Sequence, residues 1–176
     1  MSHDHPPQAF QPLTIAILTV SDTRTEADDR SGGLLRERAE TAGHRVVAKE
    51  IVPDDIYAMR AVFSRWIADP GVQVVIATGG TGITGRDLTP EAVEPLFDKP
   101  LPGFGELFRH FSLEEIGTST IQSRAVGGIA NGTLVFCLPG SSGACRTGWD
   151  RILASQLDRR TRPCNFAEML PRALEV

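Results

Sequence analysis

Val72-Gln73-Val74-Val75-Ile76-Ala77-Thr78, running straight into Gly79-Gly80-Thr81-Gly82, is the stretch on which the fold turns. A short run so rich in Val and Ile, without polar alternation, is a strand covered on both faces. Upstream, Leu13–Val20 (LTIAILTV) reads the same way, and His44–Val52 is a further strand. Between them Leu34–Ala42 is helical and stops at Gly43. Ile56, Met59, Val62, Phe63, Trp66 and Ile67 fall on one face of a helix that Asp54 or Asp55 caps and Asp69-Pro70-Gly71 ends. Strand and helix thus alternate, the pattern of a mostly parallel sheet with helices on both faces.

Downstream the pattern changes. Thr89-Pro90-Glu91 opens a short helix with Thr89 as its cap, Lys99–Gly105 is a Pro/Gly connection, and Glu106–Phe111 forms a helical turn or two. Ala125–Ala130 and Thr133–Phe136 flank Asn131-Gly132, a two-residue hairpin turn. Pro139–Gly143 leads into a final helix carrying Trp149, Ile152, Leu153 and Leu157, and the segment from Arg159 onward is expected to be extended. The predicted fold is α/β, three-layered, with a mostly parallel sheet and a late β-hairpin. One domain spans 13–166, between a flexible N-terminal tail, 1–12, and a C-terminal tail, 167–176.

Composition narrows the function. The chain has 176 residues, 18 basic against 22 acidic, a net charge of −4 and a pI near 5.6. Such a balance offers no bulk attraction for nucleic acid or anionic lipid. No apolar stretch is long enough to span a bilayer, and Met1-Ser2-His3-Asp4-His5-Pro6-Pro7 has no hydrophobic signal core. Cys137, Cys145 and Cys164 form no CxxC pair and are odd in number, which fits a reducing compartment. The expectation is a cytoplasmic protein that binds neither membrane nor nucleic acid. Only Lys49 and Lys99 are lysines, and neither lies in a glycine-rich loop.

Ligands of open α/β sheets gather at the carboxyl ends of strands. Three such ends are chemically suggestive: Ser21-Asp22, Gly79 through Asp87, and Pro139-Gly140-Ser141-Ser142-Gly143. The latter two combine close-approach glycines with small hydroxyls and free N–H groups, a phosphate cradle. Gly80-Thr81-Gly82-Ile83-Thr84-Gly85 spells GxGxxG, but no helix opens at its third glycine, so a dinucleotide site is excluded. Arg86-Asp87 stand where a P-loop needs Lys and Ser/Thr, and Gly140–Gly143 lacks the spacing of a nucleophile elbow. His44 and His110 are structural in this reading. Asp87 beside the glycines and Asp54 after the second strand would repel a bound phosphate unless a cation lay between, and Mg²⁺ held by one or two carboxylates plus phosphate oxygens meets that need.

Taken together, Thr78-Gly79-Gly80-Thr81-Gly82, Arg86-Asp87-Leu88-Thr89-Pro90-Glu91-Ala92 and Leu138-Pro139-Gly140 resemble the MoaB/MogA/gephyrin G-domain molybdopterin-binding family of molybdenum cofactor biosynthesis. Gly117–Val126 and Thr161–Phe166 resemble its MoaB branch. The likeness runs from about Leu13 to Phe166 and implies the molybdopterin-binding fold. It implies a reaction in which the terminal phosphate of molybdopterin attacks the α-phosphorus of ATP, giving adenylyl-molybdopterin and pyrophosphate. Asp54 and Asp87 would be catalytic and would hold Mg²⁺. Ser21, Asp22, Gly79, Gly80, Thr81, Gly82, Ser123, Pro139, Gly140, Ser141 and Ser142 would bind the substrates, with Ser31-Gly32 matching a further family step. Relatives often place a lysine after the Pro139-Gly140 step. Here Arg146 or Arg124 is expected to replace it. The resemblance also implies other pathway proteins as partners and a homotrimer or homohexamer, for which Phe104–Phe111 and the C-terminal tail are candidate contact surfaces. The alternative is a molybdopterin carrier or assembly partner without turnover.

Overall fold

The computed structural model describes residues 8–175, and a six-stranded sheet forms its centre. Strands β1 (Thr14–Val20), β2 (Arg45–Val52), β3 (Val74–Thr78), β4 (Lys99–Pro100), β5 (Val126–Ala130) and β6 (Thr133–Leu138) lie in the order β2-β1-β3-β6-β5-β4. β2, β1, β3 and β6 pair in parallel, whereas β5 joins β6 antiparallel through the Asn131-Gly132 hairpin and β4 pairs antiparallel with β5. Asn131 and Gly132 both have positive φ, the conformation that lets so short a turn match the strand twist. The helices are α1 (Arg30–Thr41), α2 (Ile56–Ala68), α3 (Thr89–Val93), α4 (Pro102–Ile116), α5 (Ser142–Gly148), α6 (Ala154–Gln156) and α7 (Phe166–Met169). A π-helical stretch, Trp149–Leu153, joins α5 to α6.

Alternate residues of the central strands feed two separate cores, because successive strand side chains point to opposite faces. Ile15, Ile17, Ile76 and Phe136 face α1, α4 and α5, meeting Leu35, Phe108 and Trp149. Leu18, Val75, Ala77 and Val135 face α2 and α3, meeting Met59, Phe63, Trp66 and Val93. Covering both faces makes β1, β3 and β6 continuously buried, which is why they read as unbroken apolar runs. β2, at the edge, alternates and is partly exposed.

Several local features differ from the sequence expectation. Helix α4 is fifteen residues long and absorbs the segment read as a Pro/Gly connection. Pro102 sits in its first turn, where a missing N–H costs nothing, and Phe104 and Phe108 supply its buried stripe. Those two rings are core, while Leu107 between them is exposed, so the Phe104–Phe111 segment is buried on one face and open on the other. Lys99–Pro100 pairs with β5. The C-terminal segment turns helical at α7 because Asn165 caps it: the Asn165 carboxamide oxygen accepts the Glu168 N–H at 2.7 Å.

Of the N-terminal tail, residues 1–7 lie outside the described residues. Residues 8–12 form no regular element. Gln8 reaches Glu168 and Arg159, and the Phe10 ring lies 5.3 Å from that of His44. Among the described residues no helix is long and apolar enough to cross a membrane.

Candidate functional site

β1 and β3 are neighbours, but the chain leaves them for opposite sides of the sheet, toward β2 and toward β6. Connections that diverge in this way open a crevice at the strands' carboxyl ends. Backbone builds its floor. The Gly79 N–H donates to Leu138 O at 2.9 Å and the Thr78 hydroxyl to Pro139 O at 3.0 Å, tying the ends of β3 and β6 together. Gly79 and Gly80 have φ of +104° and +65°. A side chain on Gly79 would collide with Val20 O, and one on Gly80 would strike the Thr89 hydroxyl and come within 3.0 Å of Asp54 Oδ1. Both positions therefore require glycine.

Thr89 does a different job from the one its sequence context predicts. Leu88 occupies the cap position of α3 and makes no side-chain cap bond. The buried Thr89 hydroxyl donates instead to Gly79 O at 2.8 Å, and its N–H to Gly80 O at 2.9 Å. The helix start is pinned to the glycine loop, whose Gly80 and Thr81 N–H groups donate to no acceptor among the described residues.

The resulting cavity is about 460 Å³. Among the residues singled out from sequence, Ser21, Gly79, Gly80, Thr81, Gly82, Asp87, Ser123, Pro139, Gly140 and Ser141 line it. Ser31, from the first turn of α1, lines it too, while Asp22, Asp54 and Ser142 do not. Thr19, Arg24, Phe108 and Gln122 are wall residues that sequence reading missed. They lie in no glycine-rich motif, and only the folded wall brings them in. The Ser123 hydroxyl is buried and has no hydrogen-bond partner among the described residues. An unpaired buried hydroxyl is unfavourable, and Ser123 borders both this cavity and the neighbouring one beneath α4.

The carboxylates divide into two environments. Burial alone would raise the pKa of Asp87. Hydrogen bonds from the Thr84 hydroxyl (2.6 Å), the Thr84 N–H (2.8 Å) and the Gly82 N–H, with the charge of Arg124, carry it below the usual range. Asp87 is thus firmly ionised and also closes the turn that follows the glycines. Asp54 is pushed the other way, first by burial and then by the neighbouring charges of Asp22 and Asp87, with Arg86 opposing. Asp22 Oδ1 accepts the Asp54 N–H at 3.1 Å and takes the Arg86 guanidinium in a fork with contacts of 2.6 Å. That fork, then the Asp54 N–H, holds the Asp22 carboxyl below its usual range. Asp22 therefore braces the mouth of the site and leaves Asp54 facing the glycine loop.

Neither of the cations expected to replace the pocket lysine lines the cavity. Arg124 donates to Gly82 O and to Asp87 O, both at 2.7 Å, and pairs with Glu91, acting as a strut behind the loop. Arg146 borders a separate cavity with Glu115 and Asp150. Lys49 lies behind the site, bound to the buried Asp29 at 2.6 Å and to Glu26. Among the described residues no three His, Cys, Asp or Glu side chains form a cage for a metal. The donors that could hold one are two hard carboxylates, Asp54 and Asp87, flanking the glycine loop. They match an ion that arrives with phosphate oxygens and retains water.

Residues 16–159 match the family described as "Probable molybdopterin binding domain". The molybdenum cofactor biosynthesis protein B of Escherichia coli K12 is 62% identical over 157 residues, covering 89% of this chain and 92% of that protein. Its counterpart from Bacillus cereus is 46% identical over 159 residues, covering 90% and 94%. A crystal structure of a molybdenum cofactor biosynthesis protein B superposes with a TM-score of 0.86 at 42% identity, covering 94% of this chain and 98% of the other.

Proposed function

The chain belongs to the molybdopterin-binding domain family, and from that premise we propose that it adenylylates molybdopterin at the expense of Mg²⁺-ATP. Its role lies in molybdenum cofactor biosynthesis. In the proposed reaction a phosphate oxygen of molybdopterin bonds to the α-phosphorus of ATP. The bond from that phosphorus to the oxygen bridging to the β-phosphate breaks, and pyrophosphate leaves. A phosphate dianion is itself the nucleophile, so no general base is needed. That agrees with a cavity wall to which no histidine among the described residues contributes. Positioning and charge stabilisation are then the whole catalytic task.

The observation that carries this reading is a glycine cradle with two unlike carboxylates against it. Asp87 lies in the cavity wall and Asp54 faces Gly80. Gly80 and Thr81 present main-chain N–H groups to phosphoryl oxygens, and Ser21, Ser123 and Ser141 offer hydroxyls around them. Mg²⁺ would offset negative charge growing on the departing pyrophosphate. Asp54 and Asp87 would hold it, and a carrier without turnover has no need of paired acids beside its anion.

The test is adenylyl-molybdopterin formation from molybdopterin and Mg²⁺-ATP by the wild type and by Asp87→Asn. The expected outcome is product from the wild type and a loss of at least about a hundredfold in the variant, the size of effect seen when one charge-stabilising group is removed. Pterin binding and the unfolding midpoint are followed in parallel, because Asp87 also closes a turn. Wild type that binds pterin but makes no product would sink the reading and leave the carrier role. For assembly, Leu113, Ile116 and Ile121 stand exposed on α4 and the turn after it, which supports association between copies of this chain, here proposed as a homotrimer or homohexamer. Light scattering should return three or six times the 19.1 kDa chain mass. A monomer would exclude it.

A further inference from the structure

We propose that Arg24 is the cation that grips the phosphoryl group in this cavity, in place of the residues expected for that task. The inference rests on the phosphate-binding reading of the site and adds a residue to it. Among the described residues, Arg24 is the one basic side chain on the cavity wall, and Asp87 is the one acidic one. A cavity built for phosphoryl oxygens with a fixed carboxylate on one side needs positive charge opposite it. The other nearby cations are committed: Arg86 to Asp22, Arg124 to the glycine loop and Glu91, and Lys49 to Asp29.

The loop after β1 presents Arg24 in a form ready to move. Ser21 Oγ accepts the N–H groups of Thr23 (3.2 Å) and Arg24 (3.1 Å), so the main chain at Arg24 is set by a turn anchored on a cavity residue. The side chain is held weakly. Its Nη1 lies 3.9 Å from Asp28 Oδ2 and 3.5 Å from Asp28 O, with both side chains about half exposed. Asp28 itself is occupied, since its Oδ1 accepts the Thr25 N–H at 2.6 Å and the Thr25 hydroxyl at 3.0 Å. An exposed ion pair of this kind contributes little. A guanidinium that exchanges it for two parallel hydrogen bonds to a phosphoryl group gains stronger, charge-assisted contacts. The ligand chemistry is a phosphoryl oxyanion, carried either by the nucleotide's phosphate chain or by the pterin's terminal phosphate.

The experiment is calorimetric titration of the full-length chain with inorganic pyrophosphate, ATP, adenosine and molybdopterin, for the wild type, Arg24→Ala, Arg24→Lys and Arg146→Ala. Expected is a loss of about tenfold or more in affinity for phosphate-bearing ligands in Arg24→Ala, partial recovery in Arg24→Lys and no change in Arg146→Ala. Adenosine should respond to none of the substitutions, and the unfolding midpoint of Arg24→Ala should match wild type. A loss confined to ATP and pyrophosphate places Arg24 on the nucleotide, and one confined to molybdopterin places it on the pterin. Unchanged affinity for every phosphate ligand in Arg24→Ala overturns the proposal, as does a wild type that binds none of them. The adenylylation reading stands or falls separately, on whether wild type forms product.

Discussion

Asp54 lies against Gly80 with its backbone N–H on Asp22, so at neutral pH three carboxylates crowd the mouth of the site with one guanidinium between them. Burial and the charges of Asp22 and Asp87 raise its pKa above 3.8. A carboxyl whose folded pKa is raised adds stability when protonated and loses it as pH rises through the folded value. At pH 7.5, without divalent cation, Asp54 should therefore be a small liability. Asp54→Asn is expected to raise the unfolding midpoint by about 1–2 °C in chelator, consistent with a few tenths of a kcal/mol in a domain of this size. The difference should vanish below about pH 3, where the carboxyl is protonated in the unfolded chain as well. A variant less stable than wild type at pH 7.5 would remove the crowding argument. Asp87 was readable from sequence because it follows the glycine run, whereas Asp54, between Pro53 and Asp55, stood out by its place after the second strand and by the family resemblance. Arg24 was not: an arginine in a polar loop carries no signal until the wall it joins is known.

At the scale of elements, the sequence left Asp54 and Asp55 as equal candidates for capping α2, and the fold separates their duties. Asp55 Oδ1 accepts the Ala58 N–H at 2.7 Å, while Asp54 turns toward the glycine loop. Asp55→Ala should cost about 1 kcal/mol in urea unfolding, the usual loss on removing a cap, and leave ATP affinity unchanged. A fall in affinity would mean that the two residues act together. Buried strands were legible because Val, Ile and Thr crowd into short unbroken runs, and the hairpin because Asn131-Gly132 admits few other conformations. Helix α4 was hidden. Gly103 and Gly105 weaken its propensity, and Pro102, which suits a first turn, reads equally well as a connection. Its formation depends on burying Phe104 and Phe108 against β6 and β5, a tertiary reward that local sequence does not display. Helix α7 carried a readable cap in Asn165-Phe166-Ala167-Glu168, obscured by the prolines on either side.

At the scale of the whole molecule, His44 couples the sheet to the terminal segments. Its Nδ1 accepts the Leu13 N–H at 3.1 Å, and its ring is 5% exposed between Phe10 and Trp149. Burial lowers its pKa below 6.5, with the charge of Asp158 opposing. The unfolded chain then takes up the proton first, so stability is full above about pH 6.5 and declines as pH falls through the folded value. The slope for one proton cannot exceed about 1.4 kcal/mol per pH unit. Melting curves between pH 7.5 and 5.5 should show that decline, and His44→Asn should flatten it. An equal slope in the variant would assign the pH dependence to other groups. The union of β1, β3 and β6 at the glycine loop has a consequence for the chain as it emerges from the ribosome. The segments that make the phosphate cradle are far apart in synthesis, and Pro139, whose carbonyl accepts the Thr78 hydroxyl, comes long after Val20 and Gly80. A nascent chain that stops short of it has the glycines but no far wall. The cavity therefore cannot close until about four-fifths of the chain has been made, and an incomplete chain lacks the wall that Pro139, Gly140 and Ser141 supply.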